Sequence, residues 1–266
     1  MKGKFSFLMV VFLLAARVDA APEESSLETF QSALDEIITF SQRDSGKKLD
    51  SVDIERLSAL VNVLVDQGMV LAQRSSTDDL PIIMEACRGA SEASTLLLMR
   101  GLEDRISSSE NVSDETLDSV QLMMKENALN YSVVLEPLMV FSLRCNSYTI
   151  PVLEEFVRLL PSHEVTKVRM EGLSMFRNGI FNMIVGSLNV IADEEISTEH
   201  RLETASTLDE VAAEFSSAMT IPLRQRAEEL VRSAREGSVP PFREYLVRIE
   251  EALKDRGCNA LCATSP

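Results

Sequence analysis

A net charge of −16, from 42 acidic against 26 basic side chains over 266 residues, repels polyanions and so excludes nucleic acid and anionic lipid surfaces as partners. The length suits one large or two small domains, with a core able to stand alone. With no tryptophan and 5% aromatic residues, stacking platforms for carbohydrate and aromatic anchors for a protein interface are poorly supplied.

Met1 to Lys4 is short and basic, Phe5 to Ala16 is apolar but for Ser6, and Val18 and Ala20 stand at the −3 and −1 positions before Ala21. This is the layout of a cleavable secretory signal peptide. Twelve apolar residues fall short of the roughly 20 that span a bilayer. Residues 1–20 are therefore expected to be removed, and residues 21–266 to form a single all-α domain in a periplasm or outside the cell, with no stable membrane span. The removed segment carries +2, which takes the mature net charge to −18.

Helical periodicity fills the remainder. A first helix is predicted from about Glu24 to Arg43, with Ser25 and Glu28 as a capping box. A second is predicted from Ser51 to Arg74, capped by Asp50, with Leu49 and Ile54 as its hydrophobic staple. A third runs from Thr77 to Ile106, with Pro81 tolerated in its first turn. Ser113 opens a fourth, which Pro137 should kink or split. A short fifth helix lies between Pro151 and Pro161. A sixth spans about 163–193. A seventh runs from Ser197 to Arg235, interrupted at Pro222, and the last is ended by Gly257. The chain thus reads as about eight helices in an irregular multi-helix bundle around the apolar sixth helix, with two helical halves dividing near 147–162. The intervals Gly101 to Pro137 and Gly186 to Pro222 are both 36 residues and resemble each other in residue type, which reads as a duplicated helical hairpin.

The sixth helix is apolar nearly all round, and such a helix is normally buried at the centre of a protein. Gly172, Gly179 and Gly186 recur every seven residues and share one side of it. They are expected to mark a close-packed or ligand-facing stripe, because glycine costs about 1 kcal/mol in a helix interior. A hydrophobic-ligand cavity lined by methionines is the second reading of this helix.

His163 and His200 open predicted helices beside Glu164 and Glu199. Neither has the partner at i+3 or i+4 that metal ligation needs, so both read as exposed cap-region residues. Asp193, Glu194 and Glu195 read as a solvated acidic turn. No nucleophile elbow or phosphate loop is present, and no catalytic residue, metal site or cofactor is assigned. Asn111-Val-Ser and Asn130-Tyr-Ser are glycosylation acceptors in a eukaryotic source, with Asn130 placed mid-helix.

Cys87, Cys145, Cys258 and Cys262 form an even set, which in an oxidising compartment reads as two disulfides. Cys258 and Cys262 fit a small loop after Gly257, which leaves Cys87 for Cys145. A straight hairpin turning near Ser109 would hold those two out of register by roughly 20 Å, at 1.5 Å of rise per residue. The pair therefore requires the chain to bend back, and Pro137 offers a place.

A large helical surface without convergent reactive groups is expected to bind an unknown protein partner or to self-associate, rather than to catalyse. Carriage of a small hydrophobic ligand beside the sixth helix is the second expectation. N-terminal sequencing of exported material is expected to begin at Ala21; a retained Met1 would overturn the signal-peptide reading.

Overall fold

Among the described residues every regular element is helical. The computed structural model describes residues 22–43, 47–102, 114–161, 164–254 and 260–263. The expected signal peptide, the Ser107–Asn111 linker, Ser113, Ser162, His163, Gly257 and Cys258 lie outside them. The longer helices are α1 (Pro22–Gln42), α2 (Ser51–Gln67), α4 (Leu80–Leu98), α5 (Asp114–Asn130), α6 (Ser132–Leu159), α7 (Lys167–Ala192), α8 (Thr198–Ala218), α9 (Ile221–Gly237) and α10 (Phe242–Lys254). Two single turns, α3 (Met69–Ala72) and α11 (Ala260–Ala263), complete the set. No helix of the described residues is long and apolar enough to cross a membrane.

Local chemistry sets most boundaries. Asp50 accepts a hydrogen bond from the Asp53 N–H at 2.9 Å and starts α2. Ser197 does the same for α8 through the His200 N–H. Pro222 sits in the first turn of α9, so the predicted interruption is real and falls at Met219–Thr220. The second predicted helix instead ends at Gly68, where the Phe141 ring comes so close that an added Cβ would lie 2.6 Å from Cε2.

The centre of the molecule is α6, not α7. Twelve positions of α6 between Val134 and Leu153 are buried, and it packs on α2 and α4 on one side and α8 on the other. Residues 147–159 of the predicted division near 147–162 belong to the C-terminal part of α6. A single cluster of buried side chains extends from Phe30 to Leu261. Pro137 and Pro151 do not split this helix. Pro137 frees the carbonyl of Val133, which is 54% exposed and can meet water, and Pro151 is itself on the exposed side. The break falls at Tyr131, a buried residue whose phenol oxygen accepts a hydrogen bond from the Leu49 N–H at 3.3 Å.

By contrast α7 is an edge helix. Eight of its 26 positions are buried, and these rest on α8 and α9. Val168 and Met175 stand about three-quarters exposed at 76% and 74%. Gly172, Gly179 and Gly186 are all exposed, and an added Cβ at any of them would meet nothing within 4 Å. Within this chain no neighbour packs closely on the three glycines, which with Asn178, Asn182 and Asn189 hold exposed positions of α7. Close approach occurs at Gly68 and at Gly89, where an added Cβ would lie 2.9 Å from Leu34 Cδ2 of α1. The duplicated hairpin is not seen either. Gly101 ends the α4 region at φ +80°, whereas Gly186 is mid-helix, and Pro137 is internal where Pro222 opens a helix.

Two opposite stability changes follow. Gly68→Ala forces Cβ against the buried Phe141 ring and is expected to cost about 1–3 kcal/mol. Gly179→Ala meets no neighbour and is expected to add up to about 1 kcal/mol through helix propensity. Urea unfolding of the two variants checks both, and a destabilised Gly179→Ala would show that α7 is covered.

Candidate functional site

The chain breaks at Tyr131 between α5 and α6, and α7 does not pack closely on α6. The gap left between α4, α5, α6 and α7 is a cleft of about 820 Å³. That lies within the roughly 300–1,000 Å³ of small-molecule pockets. Leu98, Leu129, Leu135, Met139, Met183 and Val190 supply its apolar walls. Most of the wall hydroxyls have spent their hydrogen on their own helices. Ser91, Ser94, Thr95 and Ser187 each donate to the carbonyl four residues earlier, at 2.9–3.0 Å.

The polar end of the cleft is His200 with Glu136. Ser197 caps α8 and so carries His200 into the first turn of that helix, where its side chain is 6% exposed. Nδ1 is buried and has no hydrogen-bond partner among the described residues. Glu136, one turn into α6, brings Oε2 to 3.8 Å from that nitrogen, beyond hydrogen-bond reach. Burial holds the imidazole below its ordinary pKa. Burial first, then the like charges of Glu203 and Glu199, raise the Glu136 carboxyl. Both groups are thus pushed toward their neutral forms. Near the rim, Lys125 Nζ pairs with Glu195 at 2.8 Å, and Asp193 Oδ1 accepts the Glu195 N–H at 2.9 Å.

The sequence-predicted residues scatter. Of the glycines, Gly186 lines the cleft, while Gly172 and Gly179 do not. His200 was expected to be exposed and is buried: the turn before α8 folds it against α6 rather than out into water. His163 lies outside the described residues, and Glu164 pairs with Arg169 at 2.8 Å. The acidic turn is tied to Lys125 rather than simply solvated. Asn130 closes α5 and is exposed, rather than mid-helix. No group of His, Cys, Asp and Glu able to hold a metal is present among the described residues.

Cys87 and Cys145 are joined, with Cα atoms 5.5 Å apart. Cys262 is also disulfide-bonded, and Cys258 is outside the described residues. Sequence reasoning missed Glu136. Its position one residue before Pro137, inside a helix expected to break there, hid which face it shares. No protein-family model, characterised protein or solved structure matches this chain.

The buried imidazole makes stability depend on pH. Unfolded histidine takes up its proton near pH 6.5, while the folded one resists, so the unfolded chain binds more protons below that value. The stability that wild type holds over His200→Asn is therefore expected to shrink as pH falls from about 8 to about 5. A constant difference in denaturant midpoint across that range would show that His200 is free to titrate. Glu136 acts with the opposite sign: its raised carboxyl gives stability at low pH that is lost as pH rises through its folded value. For that reason the single-variant difference is the quantity to measure.

Proposed function

We propose that this chain is an exported helical carrier that holds a small, largely apolar ligand in the cleft between α4, α5, α6 and α7. The observation that carries this reading is the cleft itself: about 820 Å³ of apolar wall whose hydroxyl donors are mostly engaged, ending in one buried, unpartnered nitrogen. Apolar concavities with a few unsatisfied polar groups at one end are the usual form of a ligand site. Methionines such as Met139 and Met183 adapt to ligands of differing shape. The proposal contains no reaction.

Export is part of the proposal, and the Cys87–Cys145 disulfide is compatible with it, since such bonds persist in oxidising compartments. Association with a macromolecule is the second reading. It is favoured by the exposed Val168 and Met175 on α7.

Native mass spectrometry of protein recovered from an exporting host tests both readings at once. The expected result is a monomer carrying a small organic ligand that is released on denaturation. Gly186→Leu projects a side chain into the cleft and is expected to remove that ligand. Gly179→Leu, on the same helix but outside the cleft, is expected to keep it. Oligomers without ligand in the wild type would favour the second reading.

A further inference from the structure

We propose that the ligand, on the carrier reading above, is a lipophilic cation: an apolar body ending in an ammonium-type group seated between Glu136 and His200. Three features of the cleft converge on this. The first is charge. Glu136, Asp193 and Glu195 line it as carboxylates, and the cation among the described lining residues is Lys125, already paired with Glu195 at 2.8 Å. The lining residues from α4 and α7 carry no charge. From α8, Glu199 and Glu203 add further negative potential at Glu136. An anionic headgroup would enter a field of its own sign, and a cationic one is drawn in.

The second feature is geometry. Glu136 Oε2 and His200 Nδ1 face each other at 3.8 Å, too far to bond and close enough to share one donor group. A neutral imidazole with its hydrogen on Nε2 presents an Nδ1 lone pair, and the carboxylate presents another acceptor. Two acceptors facing one gap are complementary to a group with several N–H donors. An ammonium has three, whereas a carboxylate ligand has none. The third feature is burial. His200 is 5% exposed and its Nδ1 lacks a partner among the described residues, so the fold has desolvated an acceptor without answering it. With the ring hydrogen on Nε2, a ligand that donates to Nδ1 supplies the hydrogen bond the fold leaves unmade.

The shifts at the two groups agree in direction. A bound cation stabilises ionised Glu136, and a protonated His200 would repel it. Affinity for a cation therefore falls as pH is lowered, by both routes, with Lys125, Asp193, Glu195, Glu199 and Glu203 as the other charged groups facing the site.

Calorimetric titration of the full chain with dodecylammonium, dodecanol and dodecanoate, each below its micelle concentration, tests the assignment without any variant. The expected order is ammonium, then alcohol, then carboxylate, with one site and at least about a tenfold gap between the first and last, or about 1.4 kcal/mol. Glu136→Gln is expected to cost dodecylammonium about tenfold while leaving dodecanol within about twofold. Gly186→Leu is expected to abolish saturable binding, and Gly179→Leu to leave it intact. That pair separates the cleft from unspecific attraction of a cation to an acidic surface. Dodecanoate binding as tightly as dodecylammonium would overturn the charge assignment and leave the carrier reading standing. Binding of the ammonium that is unchanged in Glu136→Gln would overturn the role of Glu136. Failure of all three probes to bind would bring down the carrier reading, and this inference with it.

Discussion

The bond between Cys87 and Cys145 fixes how deeply α4 and α6 lie alongside each other, and most of the molecule takes its place from that pairing. Cys87 lies eleven residues before the end of α4, and Cys145 lies thirteen after the start of α6, so the two legs of this hairpin match. They match because α5 is not part of either leg: the chain turns at Tyr131. On a chain-entropy account, closing the 58-residue separation removes about 4 kcal/mol of unfolded-state freedom. Around the bond, Cys87 Sγ lies 3.5 Å from the Thr149 hydroxyl, and the leg ends are tied by side chains reaching backbone. Asn127 Nδ2 donates to the carbonyls of Leu98 and Arg100, both at 2.9 Å. The buried Arg100 guanidinium donates to Ser41, Arg43 and Lys47, closing the end of α1. Ser41 and Arg43 stand at the C-terminal end of α1, where carbonyls run out of helical donors and a buried cation also answers the dipole.

With α4 and α6 locked, α7 is left to find what surface remains, and it finds α8 and α9. The short α11 is held on the same side by two buried arginines. Arg177 donates to the Leu261 carbonyl, and Arg224 lies 3.4 Å from Cys262 Sγ. Burial lowers the pKa of both guanidinium groups without discharging them. With its buried positions on α8 and α9, α7 does not pack closely on α6, and the cleft is the space left open between them.

Much of the helical framework was legible because its signals are local. Asp50, Ser197, Pro81, Pro161 and Pro222 act on the backbone within one turn, so their effects read directly from the chain. What was not legible depends on which face meets what. The abundance of apolar residues in 163–193 suggested a core helix, yet Val168 and Met175 lie outside, and from Gly172 onward the exposed positions are marked by glycine and asparagine rather than by charge. Pro137 and Pro151 disguised the true central helix, since nothing local says that a helix carries on through both of them. Gly68 and Gly89, which do sit against neighbours, have no periodic signature at all; their partners Phe141 and Leu34 are distant in sequence. The cleft was out of reach for the same reason. Glu136 and His200 stand 64 residues apart, and only the turn at Tyr131 and the cap at Ser197 bring them together.

Glu250 shows what this chain does with a carboxylate it buries for its own architecture. That side chain is 2% exposed on α10, and desolvation alone would raise its pKa. Lys254 at 2.6 Å, Arg235 at 2.8 Å and Arg232 at 3.2 Å outweigh the desolvation, and the carboxyl is held below the usual range. A buried charge answered by several cations is a structural solution. Glu136 is treated in the opposite way. It is drawn partly out of water, set near Glu199 and Glu203, and faced with an imidazole whose pKa burial lowers. No lysine or arginine of the described residues pairs with it. A fold selected for stability alone would answer such a carboxylate as it answers Glu250, since well-placed cations offset the desolvation of a carboxylate. Local rules are broken in native proteins chiefly where function requires it. The cation missing from the side of Glu136 is, on this argument, one that the chain does not carry itself.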